Sequence, residues 1–197
     1  MTIFVKICGL REEQHVNAAV EAGADALGFV FAKSPREVTP EQAASISVDI
    51  PSNILRVAVM LHPTNESWQK VLKEFLPDVL QADAQDFMSL DIPESVEKWP
   101  VFRQGGKIPN VSDRYVFEGP QSGCGETVDW KSASVIKNNT NMILAGGLDP
   151  GNVAKAIAMV NPFGVDVSSG VESVPGKKDI HMIKKFVSAA KAVERSL

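Results

Sequence analysis

Ile3-Phe4-Val5-Lys6-Ile7, then the segment from Arg11 to Ala22, then Ala26-Leu27-Gly28-Phe29-Val30-Phe31, is the stretch that decides the fold. Two short apolar runs flank a segment in which Val16, Ala19, Val20 and Ala22 gather near one face at helical spacing. A strand, a helix and a second strand in about 30 residues form a βαβ unit. The alternation continues to the end of the chain. Further candidate strands cover residues 55–60, 79–81, 101–104, 114–118, 142–145 and 164–167. Further candidate helices cover 40–46, 66–75, 130–137, 150–159 and 179–193. Asp149 before Pro150 reads as the N-cap of one helix, and Asp129 before Trp130 as the cap of another. Residues 92–99 are a candidate helix with Pro93 in its first turn and Pro100 as its stop.

Strands alternating with helices imply a parallel sheet with right-handed crossovers. Eight such strands predict a closed (β/α)8 TIM barrel, with an open doubly wound sheet as the alternative. Barrels of this kind run to about 250 residues. A chain of 197 residues therefore predicts a compact α/β barrel with short loops, one domain spanning residues 1–197. The glycine-rich residues 119–125 read as a mobile loop rather than a domain boundary.

Composition narrows the function classes. The chain is 44% hydrophobic, enough to build a core. Its formal charge of -4 gives no general attraction to nucleic acid. There is no apolar run of roughly 18 residues, so no membrane span is expected. Cys8 and Cys124 make neither a metal nor a disulfide pattern. With no basic and apolar leader at the N-terminus, a cytoplasmic protein with reduced thiols is expected. His15, His62 and His181 are scattered, without ligand spacing, and read as structural or surface residues.

The chemistry-bearing residues fall at strand ends. Cys8-Gly9 follows the first strand and presents a thiol at the barrel mouth. Ala145-Gly146-Gly147-Leu148 follows the seventh, and Ser168-Ser169-Gly170 the eighth. Loops after strands seven and eight often hold a phosphate in such barrels, and glycine lets backbone N–H groups approach the anion. The bland readings are a buried inert cysteine and two ordinary turns.

Taken in order, Lys6-Ile7-Cys8-Gly9, the block from Gly23 to Phe31, Lys33-Ser34-Pro35-Arg36, Ala145-Gly146-Gly147-Leu148, the block from Asp166 to Glu172, and Pro175-Gly176-Lys177-Lys178-Asp179 resemble the phosphoribosylanthranilate isomerase family. The resemblance runs from the first strand to the last helix. It implies a small barrel enzyme of tryptophan biosynthesis that performs an Amadori rearrangement without metal or organic cofactor. The substrate is N-(5-phosphoribosyl)anthranilate and the product 1-(2-carboxyphenylamino)-1-deoxyribulose 5-phosphate. An acid protonates the ribose ring oxygen, and a base removes the proton from C2.

The resemblance gives Cys8 the role of base. A thiol, with a reference pKa of about 8.5, must be partly thiolate to act. Lys6, two residues back on the same strand face, is placed to lower that pKa. Aligned with the family, Glu118 falls opposite its strand-six aspartate and becomes the candidate acid, on a longer arm. Asp113, at the other end of that strand, is a poor rival, and Cys124 reads as a loop residue without a role. Arg36 would face the anthranilate carboxylate, for which a planar guanidinium is suited. Asp166 and Gln81 would touch the substrate. Gly146, Gly147, Ser168, Ser169 and Gly170 would hold its phosphate. Two positions depart from the family: Asp83 stands where its strand-four histidine is usual, and Arg103 where its strand-five lysine is usual.

The expected partner is thus a small phosphorylated molecule, with no nucleic acid or membrane, on a monomer or homodimer. Two other readings remain. An indole-glycerol-phosphate synthase would share the barrel and phosphate site but need a lysine and glutamate array and an N-terminal extension. A non-catalytic phosphate-binding barrel would bind without turnover.

Overall fold

The computed structural model describes residues 2–106, 113–119, 128–136 and 141–194. Eight parallel strands close on themselves: β1 Phe4–Cys8, β2 Ala26–Val30, β3 Leu55–Val59, β4 Val79–Asp83, β5 Glu97–Arg103, β6 Tyr115–Glu118, β7 Met142–Leu144 and β8 Gly164–Val167. Each pairs with its neighbour in sequence, and β1 also pairs with β8. That last pairing removes both sheet edges and decides against the open sheet.

The helices are α1 Glu13–Ala22, α2 Pro40–Ile46, α3 Asn65–Phe75, α4 Trp130–Ser134, α5 Val153–Val160 and α6 Ile180–Lys191. Their starts are written locally. Thr39, Thr64, Asp129 and Asp179 each accept hydrogen bonds from backbone N–H groups of the first turn. Gly23 ends α1 at φ 92°, the left-handed conformation that a glycine adopts without strain. After β4 a single 3-10 turn, Asp86–Met88, replaces a full helix, which is one source of the chain's economy.

Three expectations are corrected. Residues 92–99 do not form a helix. Val96 N–H reaches Pro93 carbonyl in one turn, and β5 then starts at Glu97 and runs through Pro100, held by five successive pairings with β4. Residues 150–152 are a turn, and α5 begins at Val153. Asp149 closes that turn instead of capping the helix, accepting from Gly151 N–H at 2.6 Å and Asn152 N–H at 3.0 Å. The last helix is preceded by an unforeseen hairpin, β9 Glu172–Val174 and β10 Lys177–Lys178. The glycine-rich loop reading and Cys124 fall largely at residues 120–127, outside the described residues.

Strand alternation separates two apolar layers. Along β1, Val5 and Ile7 join the large core between sheet and helices, while Phe4 packs against the barrel lumen. The lumen is plugged by Ala26, Val57, Val79, Trp99, Val116 and Ile143. Below it Phe4 meets Trp99 edge-on at 5.9 Å and Phe163 at 5.2 Å, and the Arg114 guanidinium lies 4.8 Å over the Phe163 ring. The same inward face continues toward the C-terminal strand ends, but there it becomes polar. No described helix is long and apolar enough to cross a membrane.

Candidate active site

At that polar end lies a cavity of about 250 Å³. Cys8, Gln81, Asp83, Arg103, Glu118 and Asp166 line it from the strands. Arg36 enters from the loop after β2, Gly146 and Gly147 from the loop after β7, Ser168 and Ser169 from the loop after β8. Every residue assigned to the site from the sequence lines this cavity except Gly170, which packs against the Leu148 backbone of the loop after β7. The spacing along each strand explains the convergence: Gln81 and Asp83 lie two apart, as do Lys6 and Cys8, so each pair shares the inward face.

Cys8 is buried. Burial pushes its thiol above the ordinary range, and the Lys6 ammonium only partly opposes this. The expected lowering of the Cys8 pKa by Lys6 is thus real in sign but outweighed at rest. Gly28, the register partner of Cys8 on β2, leaves the room for the pair. A side chain there would meet Cys8 Sγ at 3.0 Å and Lys6 Nζ at 3.1 Å. Lys6 Nζ donates to Asp166 Oδ2 at 2.9 Å. Burial works against the Lys6 charge, but Asp166 and Cys8 outweigh it and hold its pKa above the ordinary value.

Two buried acceptors on this lining have no hydrogen-bond partner, Asp166 Oδ1 and Gln81 Oε1. Unpaired buried acceptors are destabilising unless a ligand supplies donors. The cavity is therefore suited to a molecule carrying hydroxyl or N–H groups.

Across the mouth, Arg103 bridges two carboxylates. Nη2 lies 2.7 Å from Asp83 Oδ1, and Nε lies 3.1 Å from Glu118 Oε1. Both residues that depart from the family pattern are thus in one ion pair, and Glu118 joins it by the longer contact. Arg36 is also engaged: it forms a bidentate pair with Glu172, at 2.8 and 2.9 Å. Hydrogen bonding to Glu172 raises the Arg36 pKa further, so it is a fixed cation.

The phosphate-type loops have the backbone that glycine allows. Gly146 and Gly147 have φ of 89° and 63°. Gly147 carbonyl accepts from Asn152 Nδ2 at 2.8 Å, which ties the loop to the start of α5. Gly170 permits contact between loops: a Cβ there would lie 1.8 Å from the Leu148 carbonyl oxygen.

His62, Asp83 and Asp86 bring potential ligand atoms within 4.8 Å of one another. His62 Nδ1 hydrogen-bonds with Asp86 Oδ1 at 3.1 Å, and His62 Nε2 lies 3.8 Å from Asp83 Oδ2. The sequence reading missed this grouping because His62, in the loop after β3, lies more than 20 positions from Asp83 at the end of β4 and Asp86 in the turn after it. His15 is buried and His181 sits in the first turn of α6.

Comparisons with known proteins converge on one family. The family model described as N-(5'phosphoribosyl)anthranilate (PRA) isomerase matches residues 5–189. An N-(5'-phosphoribosyl)anthranilate isomerase of Listeria welshimeri is 42% identical, over 98% of this chain and 100% of its own length. The Streptococcus mutans enzyme of the same name is 37% identical, over 95% of this chain and 98% of its own. Among solved structures, the phosphoribosyl anthranilate isomerase of Thermotoga maritima shares 31% identity at a TM-score of 0.79, covering 97% of this chain and all of that one. A phosphoribosyl anthranilate isomerase in complex with reduced 1-(o-carboxyphenylamino)-1-deoxyribulose 5-phosphate shares 32% identity at a TM-score of 0.76, with 97% of this chain and 100% of that one covered.

Proposed function

The chain belongs to the N-(5'-phosphoribosyl)anthranilate isomerase family, and from that premise we propose how its own residues perform the family's reaction in tryptophan biosynthesis. The observation that carries the reading is the convergence of a thiol, a carboxylate, a fixed guanidinium and two glycine- and serine-bearing loops on one cavity of about 250 Å³.

The phosphate end of the substrate binds the backbone of Gly146 and Gly147 and the loop of Ser168 and Ser169, with Gly170 packing that loop in place. The anthranilate carboxylate pairs with Arg36. Gln81 Oε1 and Asp166 Oδ1 accept from the sugar hydroxyls and the aniline N–H, which supply the donors these oxygens lack.

Glu118 protonates the ribose ring oxygen. The C1–O bond breaks, and the nitrogen lone pair closes a C1=N bond to give the open-chain iminium. Cys8 thiolate then removes the C2 proton, and the C2–H electron pair neutralises the iminium to an enolamine. Transfer of a proton to C1 and loss of the enol proton give the ketone. Glu118 needs a proton to act as acid; Arg103 lies 3.1 Å from it and 2.7 Å from Asp83, so the guanidinium is shared between the two carboxylates. Cys8 rests as a thiol. The Lys6 ammonium, joined by the positive iminium, makes its thiolate accessible when the C2 proton becomes acidic.

This reading requires no cofactor or metal. It places the protein in the cytoplasm as a monomer or homodimer, for which sedimentation is the test. One structural neighbour consists of monomers generated from the dimeric phosphoribosylanthranilate isomerase of Thermotoga maritima. The decisive experiment is a fluorescence assay with freshly generated phosphoribosylanthranilate. Wild type is expected to consume it, and Cys8→Ala and Glu118→Gln, folded by circular dichroism, to lose nearly all turnover. Full activity in either variant removes that residue from the mechanism.

A further inference from the structure

The β9–β10 hairpin carries a carboxylate that the chemistry above does not use. The Glu172 side chain is only 4% exposed, and it is saturated. Its Oε1 accepts from Arg36 Nε at 2.8 Å and Lys178 Nζ at 2.7 Å. Its Oε2 accepts from Arg36 Nη2 at 2.9 Å and Gly176 N–H at 3.2 Å. Lys178 Nζ goes on to donate to the Ser168 carbonyl at 2.9 Å and to Ser168 Oγ at 3.3 Å. A continuous chain of charge-assisted bonds therefore runs from Arg36 through Glu172 and Lys178 to Ser168.

The backbone is built around the same link. The hairpin turn rests on the loop that carries Arg36: Gly176 has φ 84°, and a Cβ there would come within 2.3 Å of the Pro35 carbonyl oxygen. Gly9 leaves room on the other side, since a Cβ there would lie 2.6 Å from Arg36 Cδ and 3.2 Å from Ser168 Oγ. Burial opposes a charge on Glu172, but the bonds from Arg36 and Lys178 outweigh it and keep its pKa below the ordinary carboxylate range. A buried carboxylate shared by two cations leaves one net positive charge at the edge of a cavity meant for an anionic molecule. A plain structural ion pair would need one cation; here Arg36 comes from the loop assigned to the carboxylate end, and Lys178 holds Ser168 of a loop assigned to the phosphate end.

We propose that Glu172 is a positioning residue for substrate recognition: it aims Arg36 at the carboxylate end and, through Lys178, sets Ser168 at the phosphate end, so that one carboxylate couples the two grips. This rests on the roles given above to Arg36 and the Ser168 loop.

The test is steady-state kinetics of Glu172→Gln and Glu172→Asp, with inorganic phosphate and anthranilate as separate competitive inhibitors. Gln keeps the shape and removes the charge. KM is expected to rise about tenfold or more with kcat nearly unchanged, both inhibitors are expected to weaken, and Asp is expected to restore part of the loss. Wild-type KM and inhibition in Glu172→Gln, or a loss confined to kcat, overturns the proposal. Should Glu172→Gln fail to fold, Lys178→Met cuts only the phosphate branch. It is expected to weaken inorganic phosphate several-fold and leave anthranilate inhibition unchanged; equal effects on both, or none, sink the proposal. Thermal shifts with the same two probes follow the coupling without turnover. A wild type that shows both shifts yet converts no phosphoribosylanthranilate would refute the isomerase reading while leaving the Glu172 link standing.

Discussion

Lys6 and Asp166 are register partners on the adjacent strands β1 and β8, and their side chains meet inside the barrel with Nζ 2.9 Å from Oδ2. The pair stands where the lumen changes from an apolar plug to a reactive floor. Cys8 lies one strand repeat above Lys6, and the second oxygen of Asp166 is left without a partner. One buried ion pair thus does three things. It fixes the orientation of Asp166, places a cation near the thiol, and keeps one acceptor available in the cavity.

Lys6→Met is expected to destabilise the protein by about 3–5 kcal/mol, because it leaves a buried carboxylate uncompensated. Urea denaturation measures this, and a second change, Asp166→Leu, should recover most of the loss. The pH dependence has a defined sign. The folded-state pKa of Lys6 is raised, so its contribution is complete below the ordinary lysine value of about 10.4 and is lost only as pH climbs through the higher folded value. A loss of the wild-type advantage at pH 7 to 9 would show that the pair does not hold Lys6 charged.

Cys8 should react slowly as a nucleophile in the free enzyme. Its pKa is raised, so the thiolate fraction at neutral pH is below that of a free cysteine. In a Cys124→Ser background, alkylation by iodoacetamide at pH 7 is expected to be slower than for a free cysteine. It should accelerate as pH passes above the ordinary thiol value of about 8.5. Rapid alkylation at neutral pH would mean that Lys6 wins over burial. The kcat/KM profile should likewise rise toward alkaline pH, and the rise should move further up in Lys6→Met.

How much of this was legible in the sequence follows from the range of each interaction. The eight strands were readable because alternation and apolar runs are local, and the start of α4 because its cap, Asp129, lies next to it; the caps Thr39, Thr64 and Asp179 emerge only from the structure. The inward set of Cys8, Gln81, Glu118 and Asp166 followed from strand ends and the family pattern together. The start of β5 was hidden, since Pro100 argues against a strand interior and only the pairing with β4 overrides it. The β9–β10 hairpin is too short to show a period. The Arg36–Glu172 pair joins residues 136 positions apart, and the Asp83–Arg103–Glu118 bridge joins three different strands. No spacing rule reaches such contacts.

Asp83→Asn tests the bridge. Removing the charge at Asp83 takes away the shorter partner of Arg103 and frees the guanidinium to close on Glu118. A carboxylate held more tightly as an ion donates a proton less readily. The expected outcome is a kcat lowered by about tenfold with KM within a factor of about two, the pattern of a loss confined to the chemical step. A rise in KM with kcat intact would instead assign Asp83 and Arg103 to substrate binding.

Gly170→Ala separates two ways in which a glycine can serve a phosphate loop. The first is conformational, which is the case at Gly146 and Gly147, whose φ values are positive. Gly170 is not among the positive-φ residues, so an alanine there meets no intrinsic backbone strain. What it meets is the loop after β7: the new Cβ would fall 1.8 Å from the Leu148 carbonyl oxygen, 2.9 Å from its carbon and 3.1 Å from Asp149 Cα. All three are backbone atoms, which cannot rotate aside as a side-chain tip can. The loops after β7 and β8 must therefore separate, and these are the two loops assigned to the phosphate. The destabilisation expected for such overpacking is about 1–3 kcal/mol, readable as a lowered Tm. Inhibition by inorganic phosphate should weaken at least about tenfold in the same variant, while inhibition by anthranilate, for which Arg36 is the proposed partner, stays near wild type. Unchanged phosphate inhibition would show that the two loops can part without loss of the site, and that Gly170 serves stability alone.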